Sequence, residues 1–145
     1  MKYILANGAF DVLHTGHIEL LNYAKSLGDY LLVALDTDER IQSSKGFDRP
    51  VNDEITRTTI MANLKAVDEV RLFGSDEELI QIFKDYNPDI RVIGSDWKGK
   101  HIVGEEFCKE IVFFDRVNQE STTNTLDKYT ERRNLVKEWK EYDFL

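Results

Sequence analysis

A single cysteine, Cys108, leaves the chain no internal disulfide, and a reducing, cytoplasmic setting is the expectation that follows. A lone thiol of this kind is more often a small packed residue than a reactive one. No apolar run approaches the roughly 20 residues that a membrane-spanning helix needs, so no membrane partner is expected. The opening stretch Met1-Lys2-Tyr3-Ile4-Leu5-Ala6 turns polar at Asn7, too early for the apolar core of a signal peptide. Positive charge is scarce as well. The 19 basic residues against 27 acidic ones give a net charge of −8, the opposite of a nucleic-acid binder's balance, and no nucleic-acid partner is expected. An acidic chain still holds a triphosphate where its few cations converge on one site. With only three histidines, and Cys108 far from them in sequence, no metal ligation by side chains is expected. What is present is a globular composition, 41% hydrophobic and 32% charged, in 145 residues, a length that suffices for one domain with its own core.

Strand-like and helix-like segments alternate along the chain. Residues 2–6 (KYILA) and 30–35 (YLLVAL) are short apolar runs of the kind buried on both faces of a parallel sheet. Between them Ile18, Leu21, Ala24 and Leu27 recur at helical spacing, and Gly28 stands where a helix C-cap belongs. Residues 53–66 predict a second helix, capped by Asn52 or Asp53, with Ile60, Leu64 and Val67 as its apolar stripe. Residues 68–73 predict a third strand. Ser75-Asp76-Glu77-Glu78 then fits a capping box, opening a helix that stops before Pro88. Residues 90–94 and 110–114 predict the last two strands. From Ser121 to about Tyr142 a polar helix is expected to pack through Leu126, Tyr129, Leu135, Val136 and Trp139. The series implies an α/β fold, a doubly wound, Rossmann-like parallel sheet with a C-terminal helix. Ligands bind such sheets beyond the carboxyl ends of the strands, at the switch in strand order. Residues 36–52 carry no periodic signal and read as a long functional loop. The expected division is a nucleotide-handling domain over 1–126 and a helical extension over 127–145 packed on it.

The chemistry concentrates in residues 8–17, GAFDVLHTGH, directly after the first strand and directly before the first helix. Gly8 and Gly16 allow backbone to approach a ligand, and the helix opening near Gly16 aims N–H groups and a positive dipole end at one point. His14 and His17, three apart at a helix start, fall on one side and can donate to the same phosphate. This segment resembles the signature of the cytidylyltransferase-like nucleotidyltransferases, whose HxGH element is shared with class I aminoacyl-tRNA synthetases. A synthetase is excluded by length and by the absence of a KMSKS-like sequence. Within that family the resemblance is nearest to the glycerol-3-phosphate cytidylyltransferases, and it extends over residues 1–126. It is carried further by LGDYLLVALDTD (27–38), by the passage from Arg57 to AVDEV (66–70), by GSDWKGK (94–100) and by RVNQESTT (116–123).

The resemblance implies transfer of CMP from CTP to a small phosphorylated acceptor such as glycerol 3-phosphate, with release of pyrophosphate. A phosphate monoester is largely ionised near neutrality, its second pKa being about 6, so the attack requires no general base. Positioning and charge neutralisation carry the catalysis. By resemblance, His14 and His17 contact the α- and β-phosphates and Ala9 and Phe10 offer backbone contacts beside Gly16. Lys45 binds phosphate across the reacting centre, and Arg57 and Arg116 grip the triphosphate. Ser121, Thr122 and Thr123 hold its far end, and Asp96 and Trp97 face the nucleoside. Asp38 is expected on the acceptor side, as is Asp11, for which bracing of the loop is the alternative. Mg²⁺ is expected as the nucleotide's companion, held by phosphates and water. A homodimer is expected. Two further readings stand beside this one. The segment Asp48-Arg49-Pro50-Val51-Asn52 resembles adenylyltransferases that act on heptose 1-phosphate, which implies ATP and a sugar phosphate acceptor. A nucleotide-binding module without catalysis is the other, and the intact histidine pair argues against it. The stretch Gly74-Ser75-Asp76-Glu77-Glu78 departs from the cytidylyltransferase pattern by being acidic where a phosphorylated acceptor would be repelled.

Overall fold

The computed structural model describes residues 1–115 and 122–143, with side chains in the second segment described over 123–137. The five apolar runs become strands β1 (Tyr3–Gly8), β2 (Tyr30–Asp36), β3 (Glu69–Phe73), β4 (Ile90–Gly94) and β5 (Ile111–Phe114). All neighbouring strands pair in parallel, in the order β3-β2-β1-β4-β5. The chain therefore winds outward from β1 to β3, returns, and winds outward again through β4 and β5. The switch falls between β1 and β4, and this is the doubly wound sheet that the alternation implies.

Helices α1 (Thr15–Ser26), α2 (Asp38–Lys45), α3 (Glu54–Ala62), α4 (Asp76–Tyr86) and α5 (Thr122–Asp143) complete the fold. Strand residues alternate between two apolar clusters because successive side chains point to opposite faces. Ile4, Ala6, Leu31, Val33 and Leu35 pack with Leu21 and Ala24 of α1 and Met61 of α3. Leu5, Leu32, Ala34 and Phe73 pack with Leu79, Ile82 and Phe83 of α4. Gly28 follows the α1 C-cap, Leu27, and serves close approach: a Cβ there would stand 2.7 Å from the Lys2 carbonyl oxygen and from Ile4.

Three expectations are corrected. Residues 36–52 contain α2, whose cap is Thr37, accepting the Arg40 N–H at 3.3 Å. Ile41 is its only buried side chain, so the helix has no apolar period to announce it. In α3 the inward residues are Arg57 and Met61, while Ile60 is 39% exposed, so the stripe begins one position off the expected register. In α5, Leu126 is half-buried but Tyr129, Leu135 and Val136 are 67%, 63% and 47% exposed, so these three do not pack on the sheet domain. The 126/127 division falls inside this continuous helix. The side chain of Trp139, like residues 116–121, lies outside the described residues.

Candidate active site

β1 ends at Gly8, and the next six residues turn the chain into α1. The turn is strained: Phe10 and Val12 hold φ angles of 48° and 47°, a region that β-branched residues rarely enter. A buried brace holds it. The Asp11 carboxylate, 2% exposed, accepts the backbone N–H groups of Val51 and Asn52 at 2.7 and 2.9 Å, and Arg49 Nε lies 3.8 Å from it. Asp11 thus takes the bracing role, fastening the Arg49–Asn52 segment to the HxGH loop.

The two histidines cap α1 reciprocally. The Gly16 N–H donates to His14 Nδ1 at 3.1 Å, and the His14 N–H donates to His17 Nδ1 at 3.3 Å. A backbone N–H only donates, so each Nδ1 accepts and the proton of each neutral ring sits on Nε2. The rings stack with centroids 3.8 Å apart and an interplanar angle of 22°, and the Phe10 ring lies 5.4 Å from that of His17. The backbone thereby sets the tautomer that makes both rings donors.

Both rings line a cavity of about 780 Å³ over the carboxyl ends of β1 and β4. Leu20 and Phe114, packed with the α1-side cluster, form one wall. Phe73, Leu79 and Val103, packed with the α4-side cluster, form another. Of the residues expected at the site, Ala9, Phe10, Asp11, His14, Gly16, His17, Lys45, Asp96, Trp97 and Thr123 all line this cavity. Trp97, in a single 3-10 turn (Ser95–Trp97), is 48% exposed, so it is no core filler. Arg116 and Ser121 lie outside the described residues, and of Thr122 only the backbone, at the start of α5, is described.

Arg57 and Asp38 stand outside the cavity and pair with each other. Arg57 is 2% exposed and its donors are committed within the protein. Nε donates to the Asn52 carbonyl at 3.0 Å, and Nη1 to the Ala9 and Asp36 carbonyls at 3.0 and 2.8 Å. Nη2 meets the Asp38 carboxylate at 2.8 Å. Four of a guanidinium's five N–H groups are thus used, and the side chain staples the HxGH loop, the end of β2 and the start of α3 to one another. Neither Arg57 nor Asp38 lines the cavity.

Sequence reasoning missed Asn7, Asp36, Arg40, Arg49 and Arg91, which also line the cavity. Arg91 carried a readable signal, a lone charge inside the otherwise apolar run of β4. Burial holds the Asp36 carboxyl above the usual carboxylate range, against a smaller lowering pull from Arg40, Lys45 and Arg57. Arg40 pairs with Asp36 at 3.4 Å and with Asp76 at 2.8 Å, its guanidinium over the Phe73 ring. The acidic stretch is thus partly neutralised by the Asp76–Arg40 pair, and the Glu78 carboxylate accepts the Gly74 N–H at 2.6 Å. Among the described residues no group of three or more His, Cys, Asp or Glu side chains could hold a metal ion. No described helix is long and apolar enough to cross a membrane.

The cytidylyltransferase-like family model matches residues 5–130. The bifunctional protein HldE of Nitratiruptor sp. is 43% identical over 129 residues, 88% of this chain and 27% of that protein. HldE of Campylobacter fetus is 43% identical over 125 residues, 86% of this chain and 27% of that protein. The chain spans about a quarter of the length of these curated relatives. Among solved structures, a lipopolysaccharide core biosynthesis protein of Thermoplasma volcanium superposes with a TM-score of 0.69 at 28% identity, covering 81% of this chain and 99% of that one. A protein from Archaeoglobus fulgidus shares the fold, with a TM-score of 0.53 at 16% identity over 79% of this chain and 99% of that one.

Proposed function

The chain belongs to the cytidylyltransferase-like family, and on that premise we propose that it is a nucleotidyltransferase that moves AMP from ATP onto a sugar phosphate, heptose 1-phosphate foremost, releasing pyrophosphate. The observation that carries this reading over CTP and glycerol 3-phosphate is the clamp between Asp11 and the Val51 and Asn52 N–H groups. It seats the Asp48–Asn52 segment, the stretch that resembles heptose-phosphate adenylyltransferases, against the HxGH loop. The HldE relatives and the likeness to a lipopolysaccharide core protein point the same way, toward sugar chemistry.

The acceptor's phosphate oxygen attacks the α-phosphorus of the nucleotide, forming the new P–O bond as the bond to pyrophosphate breaks in line. No proton must be removed, since the acceptor oxygen is already ionised. His14 and His17 donate from Nε2 to oxygens whose charge rises in the transition state, where such bonds are strongest. Lys45 adds a cation from the end of α2. Asp96 and Trp97 serve the nucleoside, and Thr123, with Arg116, Ser121 and Thr122, the triphosphate. Mg²⁺ belongs here as the nucleotide's companion, held by phosphates and water. The apolar residues that α5 exposes support a homodimer, with the helix as an extension of the catalytic domain.

Trp97 gives a direct readout of base choice. The chain has two tryptophans, and Trp97 lines the cavity. Saturable quenching of its fluorescence by Mg-ATP is expected, with binding about tenfold or more tighter than that of Mg-CTP, and the response should vanish in Trp97→Phe. Tighter binding of CTP would return the cytidylyl reading to first place.

A further inference from the structure

We propose that Arg49 grips the attacking phosphate of the acceptor through its guanidinium fork; this deepens the reading of the cavity as a nucleotidyl-transfer site and rests on it. Among the described residues, four cationic side chains besides the histidines line the cavity: Arg40, Lys45, Arg49 and Arg91. Their donors are differently used. Arg40 holds Asp36 at 3.4 Å and Asp76 at 2.8 Å. Arg91 donates from Nε and Nη2 to Asn7 Oδ1 and from Nη1 to the Val103 carbonyl. Lys45 is exposed and offers a point charge without a fork. Arg49 donates no side-chain hydrogen bond to a described residue.

That is unusual for a guanidinium on a side chain only 12% exposed, since buried donors are nearly always paired. Nε is buried without a hydrogen-bond partner. The Asp11 carboxylate, 3.8 Å from Nε, is a neighbouring charge beyond hydrogen-bond length. It is bonded instead to the Val51 and Asn52 N–H groups, and that brace fixes the backbone next to Arg49. Nη1 and Nη2 are not among the buried unpartnered atoms, so they form the accessible end of the side chain. A guanidinium held in this way is a planar pair of donors spaced for two oxygens of one phosphate.

Position decides which phosphate. The strand order β3-β2-β1-β4-β5 sets β2 and β4 on opposite sides of β1. His14 and His17 follow β1, Asp96 and Trp97 follow β4, and Lys45 and Arg49 belong to the passage after β2. A nucleotide with its nucleoside at Trp97 and its α-phosphate at the histidines leaves the β2 side to the acceptor. A phosphate on Arg49 then lies across β1 from the nucleoside, beside the HxGH loop to which Asp11 fastens this segment. Two of its oxygens rest on the fork. A third supplies the lone pair that bonds to the α-phosphorus, and the electron pair of the broken bond leaves with pyrophosphate. Arg49 thereby offsets the repulsion between a phosphate dianion and a triphosphate.

The test separates acceptor from nucleotide. With the nucleotide site saturated by Mg²⁺ and a non-hydrolysable ATP analogue, heptose 1-phosphate and inorganic phosphate are titrated separately by calorimetry. The parent, Arg49→Lys and Arg49→Gln are compared. Both probes should bind the parent, and bind each variant about tenfold or more weaker, because neither an ammonium nor an amide reproduces a charged fork. Affinity for the analogue, followed by Trp97 fluorescence, should stay within about twofold of the parent's. Arg49→Lys keeps a cation beside Asp11, and an unchanged urea midpoint would show the brace intact. Unchanged affinity for both probes in the variants makes Arg49 a strut beside Asp11 and overturns the proposal, as does a parent that binds neither probe. An equal loss of analogue and probe affinity overturns it too, by placing the guanidinium on the triphosphate. If the analogue fails to bind the parent while inorganic phosphate binds and weakens in both variants, the phosphate site stands and the nucleotidyl-transfer reading falls.

Discussion

His14→Ala is expected to lower kcat by about a hundredfold or more, the scale of losing one transition-state donor, while the protein still folds. The reason is the fixed tautomer. The Gly16 N–H holds His14 Nδ1, so Nε2 is the neutral ring's donor, and the ring lines the cavity in which the proposed transfer takes place. The ring also caps α1, and cap loss costs about 1 kcal/mol, a fraction of an ordinary domain's stability of about 5–15 kcal/mol. His14→Asn separates the two roles, because an Asn carbonyl still accepts the Gly16 N–H but places no donor at the Nε2 position. It should fold like the parent and turn over as slowly as the alanine variant. Urea unfolding and steady-state kinetics on both variants check this, and near-normal turnover in either would remove His14 from the chemistry.

Arg57→Leu is expected to act on stability, with a loss of about 3–5 kcal/mol, the range for stripping one partner from a buried ionic network. The substitution strands the Asn52, Ala9 and Asp36 carbonyls and leaves the Asp38 carboxylate without its cation. Those groups belong to the strained HxGH loop, the end of β2 and the start of α3, so the site should loosen before the sheet melts. Equilibrium urea unfolding measures the loss, and nucleotide affinity should fall alongside it. A variant that unfolds at the parent's midpoint and shows only a raised KM for the nucleotide would instead make Arg57 a phosphate ligand.

These two residues mark how far the sequence was legible. The histidine pair was readable because its position, between an apolar run and a helical period, already placed two donors at a helix start. Arg57 was not, because a sequence does not state which face of a helix an arginine occupies. Its register did hold a clue: Arg57 and Met61 are four apart and share the buried face. β1, β2 and β4 announced themselves through runs buried on both faces, while β3 and β5, the edge strands, are less buried. Asp53 and Ser75 announced α3 and α4 by capping them. α2 escaped notice because a helix with one buried residue, Ile41, has no stripe. Asp36, Arg40 and Arg91 escaped because the cavity is assembled from strand ends distant in sequence, brought together only by the β3-β2-β1-β4-β5 order. The base and the acceptor were the least legible of all. The proposed choice of ATP and a sugar phosphate rests on the Asp48–Asn52 segment, which only the structure shows to be clamped by Asp11.

The most direct test of the central claim is pyrophosphate release with Mg²⁺, in which ATP and CTP are each paired with heptose 1-phosphate, other sugar phosphates and sn-glycerol 3-phosphate. Turnover with ATP and a sugar phosphate, and little with CTP and glycerol 3-phosphate, is the predicted result. Turnover confined to CTP and glycerol 3-phosphate would contradict the choice of substrates, and bound nucleotide without pyrophosphate from any pair would contradict catalysis itself.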